Sequence, residues 1–406
     1  MTRVFQGWWV VAGVFVMLTV TAGFGFYGLP VYLRALTLEQ GFSVGAVSGA
    51  TAVFFLVSGV FGIPVAGWMT RHDPRPLVAA GALTCGLALL LLGRVSEVWH
   101  VYVAYALFGA GFAASSLVPG TTLVTRWFSR RRSVTLSIAS TGLSAGGVFL
   151  TPVVAAVVED RTLAEVAGWL GLGVVVGVVP VTAWLLRPSP EAVGLRPDGD
   201  PAPLPGSAPA FLGESAATAL KSRYYACVTG AHLLAMLAQV GGIAHLYNLV
   251  AERRDVGLAA TAIQLLAVSS LVGRLLGGFV AERTSMRGLA IVLMVGQMLA
   301  LCALALLDGD ASILITTVAF GLTVGNLLML HPLLLAARFG VRDYGRIYSR
   351  SQLVATLGVG GGPLFIGALH DVVDGYGIAF AVAGGASLLA AGVLAASGPT
   401  SVPQPA

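Results

Sequence analysis

The sequence predicts an all-α integral membrane protein, twelve transmembrane helices arranged as two pseudo-symmetric six-helix bundles. Three observations carry that reading. Of 406 residues, 57% are hydrophobic and only 10% are charged, against about 25% charged in a soluble domain. Apolar runs long enough to cross a bilayer, which takes about 20 residues of helix, recur between short charged connections. The second half also repeats landmarks of the first at a nearly constant offset.

The runs are 7–33, 44–69, 76–93, 99–125, 133–158, 166–186, 223–251, 259–281, 288–307, 311–337, 344–369 and 375–396. The first is too long for a signal peptide and has no convincing cleavage site. Within it, Gly28 and Pro30 follow Tyr27 and predict a kink. Between Arg187 and Arg223 the pattern breaks, and seven of the nineteen prolines crowd there: Pro188, Pro190, Pro197, Pro201, Pro203, Pro205 and Pro209. Such a segment stays extended and buries no core. The expected organisation is therefore an N-terminal six-helix bundle over 1–187, a cytoplasmic Pro-rich linker over 188–222, and a C-terminal six-helix bundle with a short tail over 223–406.

The repeat is specific. Gly62 and Gly67 at the end of helix two match Gly273 and Gly278 at the end of helix eight. Phe108-Gly109 and Arg126-Trp127 match Phe320-Gly321 and Arg338-Phe339, and each interval holds a late proline, Pro119 or Pro332. The offsets are 211 or 212 residues, the proline pair being off by one. Six-plus-six repeats in a membrane imply alternating access around one substrate site near the midplane.

Basic residues give an orientation. With the N-terminus inside, sixteen Lys and Arg collect on the cytoplasmic side, including the run Arg130 to Arg132, and five fall outside: Arg34, Arg94, Arg161, Arg253 and Arg254. Both termini are therefore expected in the cytoplasm of a plasma-membrane protein. The formal net charge of +5 follows from this asymmetry, so nucleic-acid binding is excluded. The RRRS run is a topology and lipid-headgroup signal. Cys85, Cys227 and Cys302 lie in apolar spans at no metal-site spacing and read as core residues. No metal and no cofactor are implied.

Two basic residues, Arg274 and Arg350, lie inside spans. Arg274 sits seven residues before Ala281, about 10 Å from that helix end, and Cα–Cβ bonds tilt toward a helix's N-terminus. Its side chain is therefore aimed toward the membrane middle, against snorkelling to the nearer headgroups. A cation at that depth is costly and faces protein or a watered cavity. Guanidinium is a planar fork that matches a carboxylate bidentately and stays charged when desolvated. All eighteen carboxylates, Asp73, Glu97, Glu159, Glu252, Glu282, Asp308 and Asp371 among them, fall in loops, the linker or helix ends. Two deep arginines without a deep acid are the profile of an anion site.

Helix eight ends Gly-Gly278-Phe-Val-Ala-Glu282-Arg283, which resembles the glycine–acidic–arginine loop signature of the major facilitator superfamily, a resemblance that covers essentially the whole chain. The matching first-half loop, Gly67 to Arg75, departs from it: Arg71 takes the usual acidic position and Pro74 the usual glycine. Asp73 is then the available partner for the gating ion pair. A narrower resemblance is to the monocarboxylate transporter family and its oxalate:formate antiporter relatives. It rests on Gly7-Trp8-Trp9-Val10 opening helix one and on Arg126-WFSRRRSVTLSIASTGLSAGG leading into helix five. In that family an arginine on helix eight binds the substrate carboxylate, and Arg274 stands at the matching place, four residues before Gly278. Many members carry an acid four positions earlier, where this chain has Ser270. Some carry a basic residue on helix one or helix eleven; helix one here has none within its apolar run, whereas helix eleven has Arg350.

The remaining candidates keep two readings each. Arg350 is a site cation or a snorkelling one, since helix eleven runs outward and aims it toward headgroups. Tyr27 is packing or a contact on helix one, which lines the cavity in this fold. Asn326 is an interhelical hydrogen bonder or a ligand contact. His245 and His331 are structural, or carry a proton. Without a membrane-embedded acid, proton symport needs a histidine or the substrate's own carboxylate, whereas uniport and anion exchange need neither. Gly142-Leu-Ser144-Ala-Gly146 matches an esterase pattern, but inside a span it is helix packing, and no enzyme is expected. The expected function is secondary or facilitative transport of a small organic anion, most simply a monocarboxylate bound by Arg274, with a proton or second anion as the candidate co- or counter-ion. The alternative is efflux of drug-like compounds.

Overall fold

Hydrocarbon offers no partner to a backbone N–H or C=O, so an apolar run in a bilayer satisfies them internally by becoming helix. The computed structural model describes residues 5–199, 213–373 and 375–398. Among these, twelve helices are long and apolar enough to cross a membrane: α1 (Gln6–Gln40), α2 (Ala46–Met69), α3 (Pro74–Leu92), α4 (Val98–Trp127), α5 (Arg132–Asp160), α6 (Leu163–Trp184), α7 (Arg223–Arg253), α8 (Gly257–Arg283), α9 (Met286–Leu306), α10 (Asp310–Phe339), α11 (Tyr344–His370) and α12 (Tyr376–Ala395). The twelve expected runs match them one for one.

The largest departure is in α1, which continues to Gln40 and so carries Arg34 on an exposed helical face instead of in a loop. The helix widens into a π turn over Ala22–Phe26 and restarts at Leu29. Pro30 falls in the first turn of the restarted piece, where its missing N–H is not needed, so it bends the helix without ending it. The Tyr32 hydroxyl donates to the Phe24 carbonyl at 2.8 Å across the widened turn. The stop comes at Gly41, whose φ of 69° is the left-handed conformation that glycine adopts without strain.

Helix starts follow the side chains that precede the runs. Ser43, Ser222, Asp255 and Ser285 each accept a backbone N–H three residues on, which satisfies one of the orphan donors of a first turn. Thr162 and Glu165 form a reciprocal capping box on α6.

The chain forms two compact units, Met1–Leu212 with Tyr348–Leu353, and Gly213–Ile347 with Val354–Ala406. In the first unit, the two sequence stretches that carried the narrower resemblance meet. The Trp8 ring packs on Phe128 at 5.3 Å between centroids, and Phe5 packs on Trp127 and Phe128 at 5.7 and 5.6 Å. The repeat reappears in packing. A Cβ on Gly109 would overlap the carbonyl of Phe54, and one on Gly321 would sit 2.7 Å from the carbonyl of Leu266. Both members of the second pair lie 212 residues after those of the first.

Residues 200–212 of the linker, with Pro201, Pro203, Pro205 and Pro209, lie outside the described residues. Its described ends are tied down. In the first unit, Trp127 Nε1 donates to the Arg187 carbonyl at 3.1 Å, and the backbone N–H groups of Ser129 and Arg130 donate to Asp198 Oδ2 at 3.0 and 2.8 Å. In the second, Glu214 N–H donates to the Phe339 carbonyl at 2.9 Å, Arg338 pairs with Glu214 at 2.5 Å, and Ala216 N–H donates to Asp343 at 2.9 Å. Each end therefore grips the loop after the helix that carries the repeat-related Arg126 or Arg338.

Candidate functional site

The site is built from the seam between α8 and α10. Small residues let two helices approach until backbone meets backbone. Gly273 and Gly277 on α8 and Gly321 and Gly325 on α10 serve that purpose here. A Cβ on Gly273 would lie 2.7 Å from the Leu322 carbonyl, and one on Gly325 would overlap the Ser270 carbonyl and stand 3.0 Å from Arg274 Cβ. Both pairs are spaced four apart, so each helix presents a smooth strip to the other.

Arg274 is anchored at this seam and is 3% exposed. Its Nε donates to the Gly325 carbonyl at 3.2 Å. That bond uses the hydrogen at the root of the fork and orients the guanidinium plane from a backbone atom. The repeat-related position in the first half, 211 residues earlier, is Ile63, so the cation belongs to the second unit alone.

Asn326 adjoins Gly325 and is 5% exposed. Its Nδ2 donates to the Leu322 carbonyl at 2.8 Å, while its Oδ1 abuts Gly277 and has no hydrogen-bond partner among the described residues. A glycine Cα–H against an amide oxygen is a weak hydrogen bond, which makes Asn326 a seam residue as much as a site residue. Arg274 and Asn326 are thus the two sequence-level candidates that the seam brings together.

His245 lies elsewhere in the second unit. Its Nε2 is 3.0 Å from the Pro363 carbonyl, an acceptor only, so Nε2 carries the hydrogen. Nδ1 lies 3.3 Å from the Tyr376 hydroxyl, to which Asn248 Nδ2 donates at 3.4 Å. His245 therefore ties α7 to α11 and α12. Tyr27 and Arg350 fall in the first unit. Tyr27 is 38% exposed, and a Cβ on Gly147 of α5 would lie 3.0 Å from its ring. Arg350 is half-buried on α11.

Of the loop-signature residues, Gly278 is buried in α8, and Glu282 and Arg283 are exposed in its last turn. Asp73 caps α3, accepting the Arg75 N–H at 2.9 Å, and pairs with the Arg75 guanidinium at 2.6 Å. Partial burial raises the Asp73 pKa, but hydrogen bonds from the Arg75 side chain and backbone, with the charges of Arg75 and Arg187, outweigh it and hold the carboxyl below its ordinary value. A depressed folded-state pKa contributes stability that is present above the unfolded carboxylate's pKa of about 4 and is lost as pH falls through the lower folded value. Both partners are about a third exposed, so the contribution is on the order of a few tenths to 1 kcal/mol. Asp73→Asn, which keeps the cap and removes the charge, is expected to flatten that acid limb of a thermal-stability profile. An unchanged limb would place the acid sensitivity elsewhere.

One buried polar pair escaped the sequence reading. His232 of α7 and His331 of α10 stack face to face, with centroids 3.9 Å apart and planes 15° apart, at 3% and 2% exposure. The available signal was positional: His232 is a polar residue more than two turns inside an apolar run.

The comparisons with known proteins agree with this architecture. The sequence pattern of the Major Facilitator Superfamily matches residues 15–334. Monocarboxylate transporter 13 of Bos taurus is 29% identical over 369 residues, covering 85% of this chain and 80% of that protein. The agnestins efflux protein AgnL12 of Paecilomyces divaricatus is 24% identical over 272 residues, covering 66% of this chain and 58% of that protein. The crystal structure of the superfamily transporter FucP in the outward conformation superposes with a TM-score of 0.71 at 16% identity, covering 96% of this chain and 98% of that one. A family pattern spanning most of the chain, over twelve membrane-length helices in two repeat-related halves, establishes that the chain belongs to the major facilitator superfamily, a family of membrane transporters of small molecules and not of enzymes.

Proposed function

We propose that this transporter carries a small organic anion, most simply a monocarboxylate, by alternating access, with the carboxylate bound by Arg274. The carrying observation is the guanidinium itself: buried in the second unit, and held by its Nε from the Gly325 carbonyl. A carboxylate relieves the cost of a desolvated cation and takes two parallel N–H···O bonds from such a fork. The monocarboxylate transporter relatives support the same substrate class. Arg350, Tyr27 and Asn326 are the candidate further contacts, and Glu282, Arg283 and Asp73 the candidate gating residues at the helix ends. The distribution of basic residues supports a plasma-membrane protein with both termini in the cytoplasm.

The test is uptake of labelled acetate, L-lactate, pyruvate and benzoate into proteoliposomes, with and without a pH gradient. Saturable uptake of at least one of them, abolished in Arg274→Ala, is the expected result. A second reading, efflux of drug-like compounds, is favoured by the efflux relative. Transport of cationic or neutral dyes that survives Arg274→Ala, with no carboxylate moved, would replace the first reading with the second.

A further inference from the structure

The stacked pair His232 and His331 lies at a small cavity in the second unit. Met294, Leu327, Leu330 and Leu394 line it with the two rings, so it is walled by α7, α9, α10 and α12. His232 Nε2 has no hydrogen-bond partner among the described residues. A turn further on, Gln297 Nε2 donates to the Ala235 carbonyl and the Ser387 hydroxyl, both at 3.1 Å, while Gln297 Oε1 and the buried Gln239 Oε1 are likewise unpartnered. Buried polar atoms left without protein partners are the usual sites of internal water, and the cavity interior of about 10 Å³ is about the size of one. His232 and Gln239 of α7, with Gln297 of α9 bonded at the Ala235 carbonyl between them, therefore place polar groups at positions 232, 235 and 239 along one face of α7.

We infer that the His232–His331 pair is a proton-binding site, coupled to the anion site through α10. The result rests on the carboxylate reading above for its ligand but not for its chemistry. Two imidazoles stacked this closely cannot both be charged, so the pair takes at most one proton, shared as one titrating unit. Among the described residues no Asp or Glu lies within a span away from its end turns, which leaves histidine as the side chain within the spans whose ordinary, unperturbed pKa lies nearest neutrality. Toward the ends of these four helices that carry Arg287 and Arg338, the other titratable groups are Arg223, Tyr224, Tyr225 and Cys227 of α7, Arg287 of α9, bound to the Leu394 and Ala395 carbonyls, and Arg338 of α10, paired with Glu214, while α8 brings Arg274 against α10.

His331 follows Gly325, whose carbonyl holds Arg274, by six residues, about 9 Å along α10. A proton there adds positive charge near the anion site, so it favours a bound carboxylate, on the order of ten-fold at an effective dielectric of about 20. Linkage makes the effect reciprocal: the carboxylate raises the pair's proton affinity by the same factor. Proton and anion then bind together, which is the condition for symport.

The experiment uses the full-length protein in nanodiscs, labelled with 15N-histidine, and titrated between pH 4 and 8 with and without saturating L-lactate, a carboxylate that stays ionised over most of that range. One proton is expected to titrate on the pair as a unit, vanishing in His232→Gln and in His331→Gln, with lactate moving the midpoint up by about one pH unit, the equivalent of a ten-fold change. In proteoliposomes, the same variants are expected to exchange lactate by counterflow with a KM that no longer falls as pH is lowered, and to lose pH-driven accumulation. Rings that stay neutral down to pH 4, or variants that accumulate lactate like the wild type, would overturn the proposal. If lactate shifts nothing and is not carried, the carboxylate reading fails, while the titration still decides whether the pair binds a proton.

Discussion

Arg274→Lys is expected to lower carboxylate transport about 100-fold while leaving the protein folded. The substitution keeps the charge, so the electrostatic attraction for an anion survives. It removes the planar fork, whose second N–H···O bond to a carboxylate contributes about 1.5–3 kcal/mol. It also removes the Nε–H that reaches the Gly325 carbonyl at 3.2 Å, so the ammonium lacks both the match and the anchor. Concentration dependence of uptake separates the two losses: a lost match weakens binding, and a lost anchor also slows the translocating step. Near-normal transport by the lysine variant would show that charge alone suffices, and that the orientation set from α10 has no role.

The second large effect is structural. Gly325→Ala is expected to lower the stability of the detergent-purified protein by about 3 kcal/mol, at the upper end of overpacking costs. The obstacle to the new methyl is the Ser270 carbonyl, with Arg274 Cβ beyond it, and a backbone carbonyl in a helix cannot rotate aside. Gly277→Ala makes the contrast. Its obstacle is the Asn326 side-chain amide, so Gly277→Ala combined with Asn326→Ala should recover most of the loss, whereas Asn326→Ala should do nothing for Gly325→Ala. Thermal melting of the single and double variants decides this. Equal rescue of both glycine variants would mean that the α8–α10 seam is softer than its geometry implies.

Much of this was legible in the residues. Apolar runs read as helices because hydrocarbon leaves the backbone no alternative, and the repeat was visible because Gly109 and Gly321 answer the same need for backbone contact. The kink at Gly28 and Pro30 was readable, but the end of the first span was not: the apolar run stops before Arg34, whereas the helix continues with that arginine on an exposed face and ends only at Gly41. The burial of Arg274 was readable from its direction along the helix, but the carbonyl that holds it was not, since a bond to Gly325 depends on how α10 is rotated against α8. The His232–His331 stack was invisible for the same reason. Ninety-nine residues separate the two rings in sequence, and no periodicity relates them.

Three arginines near helix ends have a consequence for how this chain reaches its final form. Arg126 bridges the Met69 and Pro188 carbonyls, Arg253 those of Leu304 and Ala305, and Arg287 those of Leu394 and Ala395. Replacing all three with lysine would preserve every unit of charge that the insertion machinery senses, yet an ammonium makes a poor substitute for a fork spanning two oxygens. Newly made protein of that kind should thread correctly and then assemble badly, so topogenesis and tertiary closure of this polypeptide can be pulled apart by chemistry alone.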